Sequence, residues 1–341
     1  MNSKELVAAV LRGKPAPRVP VGPLAVHFCA RYADASLLDY SRSATVLADS
    51  VIRYYERFGP DAVWLSTDTW VSAEAMGAKV AAPSPHQPMG GTGEPLVQCA
   101  ADIDRIPPVD VGSQGRYPLM LEALSRVVAA LGKDVFIVAC FDQFPFSLAS
   151  ALMGLDTVMV KVLDDPELVL ALMHRCEEYA AAYAMALQAV GADMLSGGDS
   201  PAGLLGPELY RRFAWPGESR LIERLRRTTP VPISLHICGR AQPLLPWMKS
   251  TGADVLEVDQ AVDLGEACRI VGPDQALWGN IDPVSVLAQG TPADAVQAAK
   301  EAIRAVRTAG HHRFVLSSGC TLAVETPPEN LEAFLGAARE V

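Results

Sequence analysis

The feature that most constrains this chain is a sustained alternation of short apolar, β-type runs with amphipathic helical stretches. The runs lie at residues 19–26, 62–66, 135–141, 192–196, 232–238, 255–258, 276–279 and 313–318. Several are continuously apolar instead of alternating, the pattern of parallel strands covered on both faces. The run at 19–26 contains Pro20 and Pro23, which lack an amide donor and weaken it as a strand. Helical periodicity fills the intervals at 45–58, 117–131, 165–190, 207–227, 242–251, 264–271, 291–309 and 328–339. Asp165-Pro166-Glu167 supplies a capping acid and a first-turn proline, and Gly191, Gly252 and Gly310 fall where helices should stop.

Eight such alternations in 341 residues predict an α/β fold, a (β/α)8 TIM barrel forming a single domain over residues 1–341. The rival, an open doubly wound sheet, would favour a Gly-rich phosphate loop after an early strand, and no G-x-G-x-x-G or Walker sequence is present. Residues 69–110 exceed a normal crossover. They hold Gly77, Pro83, Pro85, Pro88, Gly90 and Gly91, with β-like pieces at 79–82 and 95–99. This segment of the N-terminal half is expected to form a hairpin excursion over the barrel mouth. No internal repeat or interdomain linker interrupts the pattern.

Half of the residues are hydrophobic and a fifth are charged, enough apolar material for a large core. The formal net charge of -10 argues against nucleic acid and against anionic lipid as partners. No apolar run approaches the roughly 18 residues of a membrane-spanning helix, and none near the start resembles a secretory signal. Seven cysteines, an odd number thinly spread, read as reduced thiols in a cytoplasmic protein.

Barrel chemistry sits at the C-terminal ends of the strands. The predicted ends carry His27, Asp68, Asp142, Asp199, His236 with Cys238, Asp259, Asn280 and Cys320. His236 and Cys238 are two apart on one strand, so both side chains face the same point. Cys320 ends the last strand and can supply a third metal ligand, leaving an open position for substrate. Two thiolates and an imidazole favour zinc over magnesium or calcium. The spacing alone leaves a plainer reading open, because cysteines are often buried as small hydrophobes.

For the remaining ends two readings stand side by side. Asp199 either orients substrate as a catalytic group or caps a helix. Asp142 and Asp68 either bind substrate or cap. His27 faces the mouth if 19–26 is a strand, and Asn280 either contacts substrate or holds the Gly279 turn. His311-His312 reads as a favourable cationic helix end, and Cys140 and Cys268 as core.

Several longer segments add a second kind of information. Leu235-His236-Ile237-Cys238-Gly239, Val258-Asp259-Gln260-Ala261-Val262-Asp263-Leu264 and Trp278-Gly279-Asn280-Ile281-Asp282-Pro283 resemble the uroporphyrinogen decarboxylase superfamily. The likeness continues through Gly319-Cys320-Thr321 and Thr326-Pro327-Pro328-Glu329-Asn330-Leu331. In the first half it includes Arg18-Val19-Pro20-Val21-Gly22-Pro23 and Ala73-Glu74-Ala75-Met76-Gly77-Ala78. The H-x-C and distant G-C pattern resembles the zinc-dependent corrinoid methyltransferase branch. That resemblance implies Zn2+ held by His236, Cys238 and Cys320. It also implies a separate corrinoid-binding protein carrying methylcobalamin or another corrinoid, and a small methyl donor or acceptor. An acidic fourth ligand in that branch would fall near Asp259 or Gln260; Gln260 stands at what looks like the glutamate position, a departure that leaves the fourth place to Asp259 or to water. The alternative is tetrapyrrole decarboxylation. It is disfavoured because the arginine-rich N-terminal motif of the decarboxylases survives only as Arg31, and because the strand ends offer acids where a polycarboxylate needs cations. Ser234-Leu235-His236-Ile237-Cys238-Gly239 lacks the aspartate of a D-x-H-x-x-G corrinoid motif, so the corrinoid is expected on the partner.

Overall fold

A computed structural model describes residues 1–84 and 88–340. Seven parallel strands form one curled sheet in the order β1-β4-β5-β6-β7-β8-β9. They are β1 (Ala62–Leu65), β4 (Phe136–Gln143), β5 (Met194–Gly198), β6 (Ile233–Ile237), β7 (Val255–Val258), β8 (Ala276–Ile281) and β9 (Phe314–Ser318). The remaining two, β2 (Val80–Ala81) and β3 (Gly90–Gly91), make a short antiparallel ladder of their own. Helices such as Tyr117–Leu131, Pro166–Val190 and Pro292–Thr308 return the chain between sheet strands, as parallel pairing demands.

The eighth stave is not a regular strand. Within 19–26 only Val21 bridges a neighbour, Leu316 of β9, and Val26 already begins the helix Val26–Tyr32. The two prolines remove donors that a ladder would use. What remains still closes the barrel. Leu316 N–H donates to Pro20 O and Gly22 N–H to Leu316 O, while Asp61 N–H, just before β1, donates to Val21 O. The side chain of Asp61 pins the same segment, accepting from Val21 N–H at 2.9 Å and from both terminal nitrogens of Arg18 at 2.6 and 2.7 Å.

Side chains of alternate strand positions fill the lumen in two zones. The lower zone is apolar: Ala62, Trp64, Phe136, Val138, Met194, Val255, Ala276, Trp278 and Val315 pack together, with Val7 and Leu11 of the first helix, Ser3–Leu11, as a plug. The Trp64 and Trp278 rings meet edge to face with centroids 5.9 Å apart, a favoured aromatic arrangement. One step higher along the same faces the lining becomes polar, with Ser196, Ser234, His236 and Glu257, all buried. The apolar floor thus sets the polar site near the C-terminal end of the barrel.

The excursion between β1 and β4 does contain a ladder, although its second arm is Gly90–Gly91 and not the expected 95–99. Residues 85–87, including Pro85, lie outside the described residues. No single helix among the described residues is long and apolar enough to cross a membrane. The neighbours Pro145–Met153 and Leu155–Asp164 reach that threshold only jointly, and they meet at 108°.

Candidate metal centre

His236 and Cys238 leave the end of β6 on one side of the strand. The chain then turns at Gly239, whose φ of 77° suits glycine. Cys320 arrives from the end of β9, three strands away in sheet order. Its position depends on Gly319. A Cβ added there would lie 2.5 Å from Gln260 N and 3.1 Å from the carbonyl carbon of Asp259, so only glycine lets β9 approach the loop after β7.

The outcome is one tight group of soft donors. His236 Nε2 lies 2.9 Å from Cys238 Sγ, and Cys238 Sγ lies 3.5 Å from Cys320 Sγ. The three donor atoms fall within 4.8 Å of one another, and among the described residues no other group of three His, Cys, Asp or Glu comes together in this way. These groups also shift one another's titration. Hydrogen bonding from Cys320, helped by Ser200 and opposed by burial, lowers the pKa of Cys238. The bond to Cys238, reinforced by burial, pushes Cys320 up to about 12. Burial disfavours a charged His236, yet its bond to Cys320 and the nearby acids raise it to about 9.

Behind the imidazole sits a residue that the strand-end reading missed. Glu257, 2 % exposed and opposite His236 in the β6–β7 register, accepts on Oε1 from Ser196 Oγ at 2.8 Å and from Ser234 Oγ. Its Oε2 lies 3.7 Å from His236 Nδ1, and neither atom has a hydrogen-bond partner. The signal was available: an acid in the middle of the apolar run Val255-Leu256-Glu257-Val258 requires a buried partner.

The other predicted residues lie outside the donor group. Asp259 is buried and its Oδ1 accepts from Ala261 N–H at 2.9 Å, closing a local turn; it is not in the donor group. Asn280 donates to Asp259 O and Val262 O and so braces the loop after β7. Asp68 forms a two-pronged pair with Arg116, at 2.6 and 2.9 Å, and Arg116 also holds Glu74 at 2.5 Å. His27 is on a helix, not at a strand end, and its Nε2 bonds Thr67 O; burial lowers its pKa.

Asp199 is fully buried, and its Oδ1 accepts from both Ser147 N–H and Ser147 Oγ, at 2.7 and 2.6 Å. It therefore caps the start of the helix Pro145–Met153. Burial raises it to about 6, and burial with the facing Asp199 carboxyl raises Glu218 well above the carboxylate range. Asp142 stands at φ 79° on the irregular end of β4 and accepts from Ser72 N–H at 2.8 Å, with burial raising it to about 7.

A cavity of about 400 Å³ opens beside the donor group. Its lining includes Gly198, Ser200, Asp142, Gln143 and Ser147, together with Trp70, Gly91 and Gly93 of the excursion. Ser200, near enough to Cys238 to lower its pKa, connects cavity and donor group. Among the described lining residues Lys79 is the one cation, and it is paired with Glu94 at 2.6 Å.

Comparison with known proteins gives the family of the chain. Residues 2–341 match the uroporphyrinogen decarboxylase (URO-D) family. The methylcobamide:CoM methyltransferase MtaA of Methanosarcina barkeri is 30 % identical over 345 residues, covering 99 % of this chain and 97 % of that protein. The methylcobamide:CoM methyltransferase MtbA of Methanosarcina acetivorans is 33 % identical over 229 residues, 67 % of this chain and 65 % of that protein. A uroporphyrinogen decarboxylase of Trichodesmium erythraeum is 28 % identical, covering 90 % of this chain and 85 % of that protein. Among solved structures, a methyltransferase from Methanosarcina mazei superposes with a TM-score of 0.90 at 26 % identity, covering 100 % of this chain and 99 % of that one.

Proposed function

The chain belongs to the uroporphyrinogen decarboxylase family, and within it we propose that this enzyme is a zinc-dependent methyltransferase working with a corrinoid-binding protein. The observation that carries the proposal is the gathering of His236 Nε2, Cys238 Sγ and Cys320 Sγ within 4.8 Å beside a cavity of substrate size. The donor set fits the metal. Two sulfurs and an imidazole nitrogen suit zinc, and three protein ligands leave a position for a small molecule. Zinc held there supplies positive charge that keeps a bound thiol deprotonated near neutral pH, or that polarises a methylated heteroatom.

This chain's own residues do the rest. His236, Cys238 and Cys320 present the ligands, and Ser200 lies where the cavity meets the site. Trp70 and the ladder at Gly91 wall the cavity and limit the water around the reacting group. The substrate is a small thiol acceptor, or a methoxy, methylthio or methylamine donor; the same ligand geometry serves both directions. Asp259 stays outside the proposed ligand set because it is not among the three grouped donors.

Decarboxylase relatives make tetrapyrrole decarboxylation the competing reading. The cavity counts against it, because recognising several carboxylates requires several unpaired cations. Among its described lining residues it offers Lys79, already matched by Glu94, together with Asp142.

The test uses free methylcobalamin and a panel of small thiols, with the visible spectrum reporting loss of the cobalt–methyl bond. Thiol-dependent demethylation that stops on zinc removal is the expected result, or methylation of reduced cobalamin by a methylated donor if the chain runs in reverse. Loss of carboxylates from uroporphyrinogen, with no methyl transfer in either direction, would overturn the proposal.

A further inference from the structure

We infer that Glu257 is a positioning residue for the metal-binding histidine, a lumenal carboxylate that holds His236 in the tautomer whose Nε2 is free to bind. The inference rests on the zinc reading above and adds to it a residue outside the donor group. Glu257 is itself clamped. Ser196 from β5 and Ser234 from β6 both donate to Oε1, so the carboxylate plane is fixed by two neighbouring strands. That commits one oxygen and leaves Oε2 pointing at the imidazole, 3.7 Å from Nδ1. Both Oε2 and Nδ1 are buried and without a hydrogen-bond partner in the metal-free chain. A buried acceptor and a buried ring nitrogen facing each other at this distance are an unclosed hydrogen bond.

A neutral imidazole carries one proton on one of its two nitrogens. With Oε2 as an acceptor behind the ring, the proton belongs on Nδ1, and the Nε2 lone pair then points at Cys238 and Cys320. Ligating histidines commonly donate their second N–H to a carboxylate, and losing that partner costs about 10- to 100-fold in metal affinity. Glu257 is buried in the polar zone of the lumen and faces Nδ1, whereas Nε2 is the ring nitrogen beside Cys238. It therefore acts through His236 and does not replace a ligand.

Glu257→Gln separates this role from simple packing. The amide oxygen still accepts from Ser196 and Ser234, so shape and clamp are kept. The amide nitrogen now faces Nδ1 as a donor, which drives the imidazole proton onto Nε2, where a metal needs a lone pair. Zinc dissociation constants would be measured by competition with a chromogenic chelator on wild type and variant. Cobalt(II) replacing zinc would report ligand field in the visible spectrum, and thermal melts of the metal-free forms would report folding. We expect a variant that melts like wild type, binds zinc about 10- to 100-fold more weakly and shows an altered cobalt spectrum. If the variant does not fold, Ser196→Ala with Ser234→Ala releases the clamp without touching the carboxylate, and a smaller affinity loss is expected. Wild-type affinity and spectrum in a folded variant would overturn the role of Glu257 while leaving the zinc reading intact. A wild-type chain that binds no zinc would overturn both.

Discussion

Replacing Asp61 with Asn tests how the barrel closes. The Asp61 carboxylate, 1 % exposed, accepts from Arg18 Nη1 and Nη2, from Ser3 Oγ at 2.7 Å and from Val21 N–H. It thereby joins the plug helix, the irregular eighth stave and the start of β1. Asparagine keeps one acceptor oxygen and turns an NH2 group toward the guanidinium, so two or more of these bonds are lost and Arg18 is left uncompensated. Breaking a buried ion pair by removing one partner costs about 3–5 kcal/mol, and the lower end applies because Arg18 keeps 26 % of its side chain in water. We therefore expect Asp61→Asn to lower unfolding stability by about 3 kcal/mol in urea titrations followed by far-UV circular dichroism. Arg18→Ala alone should cost less, since it leaves Asp61 with Ser3 and Val21, and the double variant should fall well short of the sum. The damage should extend to the metal centre, because the stave pairs with Leu316, four residues before Cys320. A loss below about 1 kcal/mol, or strictly additive variants, would refute the view that this carboxylate closes the barrel.

Three further outcomes follow from other parts of the molecule. Gly319→Ala should cost about 1–3 kcal/mol by overpacking and weaken metal binding in chelator competition, because the new methyl meets the backbone of Gln260 and Asp259. Asp142, held at about 7 by burial, keeps its proton in the folded chain at pH values where the unfolded chain has released it. Stability should then fall as pH rises from about 4 to about 7, and urea midpoints for Asp142→Asn should show a flatter profile across that window. Ala151→Trp should fill the cavity, raising KM or abolishing turnover while zinc content stays unchanged.

The parts legible in the sequence were those governed by local periodicity. Strands β1 and β4 to β9 coincide with apolar runs, because each must be covered on both faces. His236 and Cys238 were legible for a similar reason: a two-residue period puts both on one face of a strand. The run at 19–26 misled because it is apolar enough for a strand, yet its prolines restrict it to a single bridge and put His27 on a helix. Asp68 and Asp199 looked like site residues because they end strands. Their partners, Arg116 and Ser147, are about 50 residues further along or back in the chain, where no local pattern reveals them. Glu257 was overlooked for the opposite reason, since attention to strand ends passes over an acid that points into the lumen.

The central claim is that His236, Cys238 and Cys320 together hold one zinc ion with a position left for substrate. Zinc-edge X-ray absorption on the purified chain, with and without a small thiol, tests this most directly when paired with metal analysis of Cys320→Ser. The account predicts about one zinc per wild-type chain, two sulfur ligands and one histidine in the resting shell, and a third sulfur when thiol is added. It predicts loss of the metal in Cys320→Ser. A wild-type chain without zinc, or a shell of four protein ligands unchanged by thiol, would contradict it.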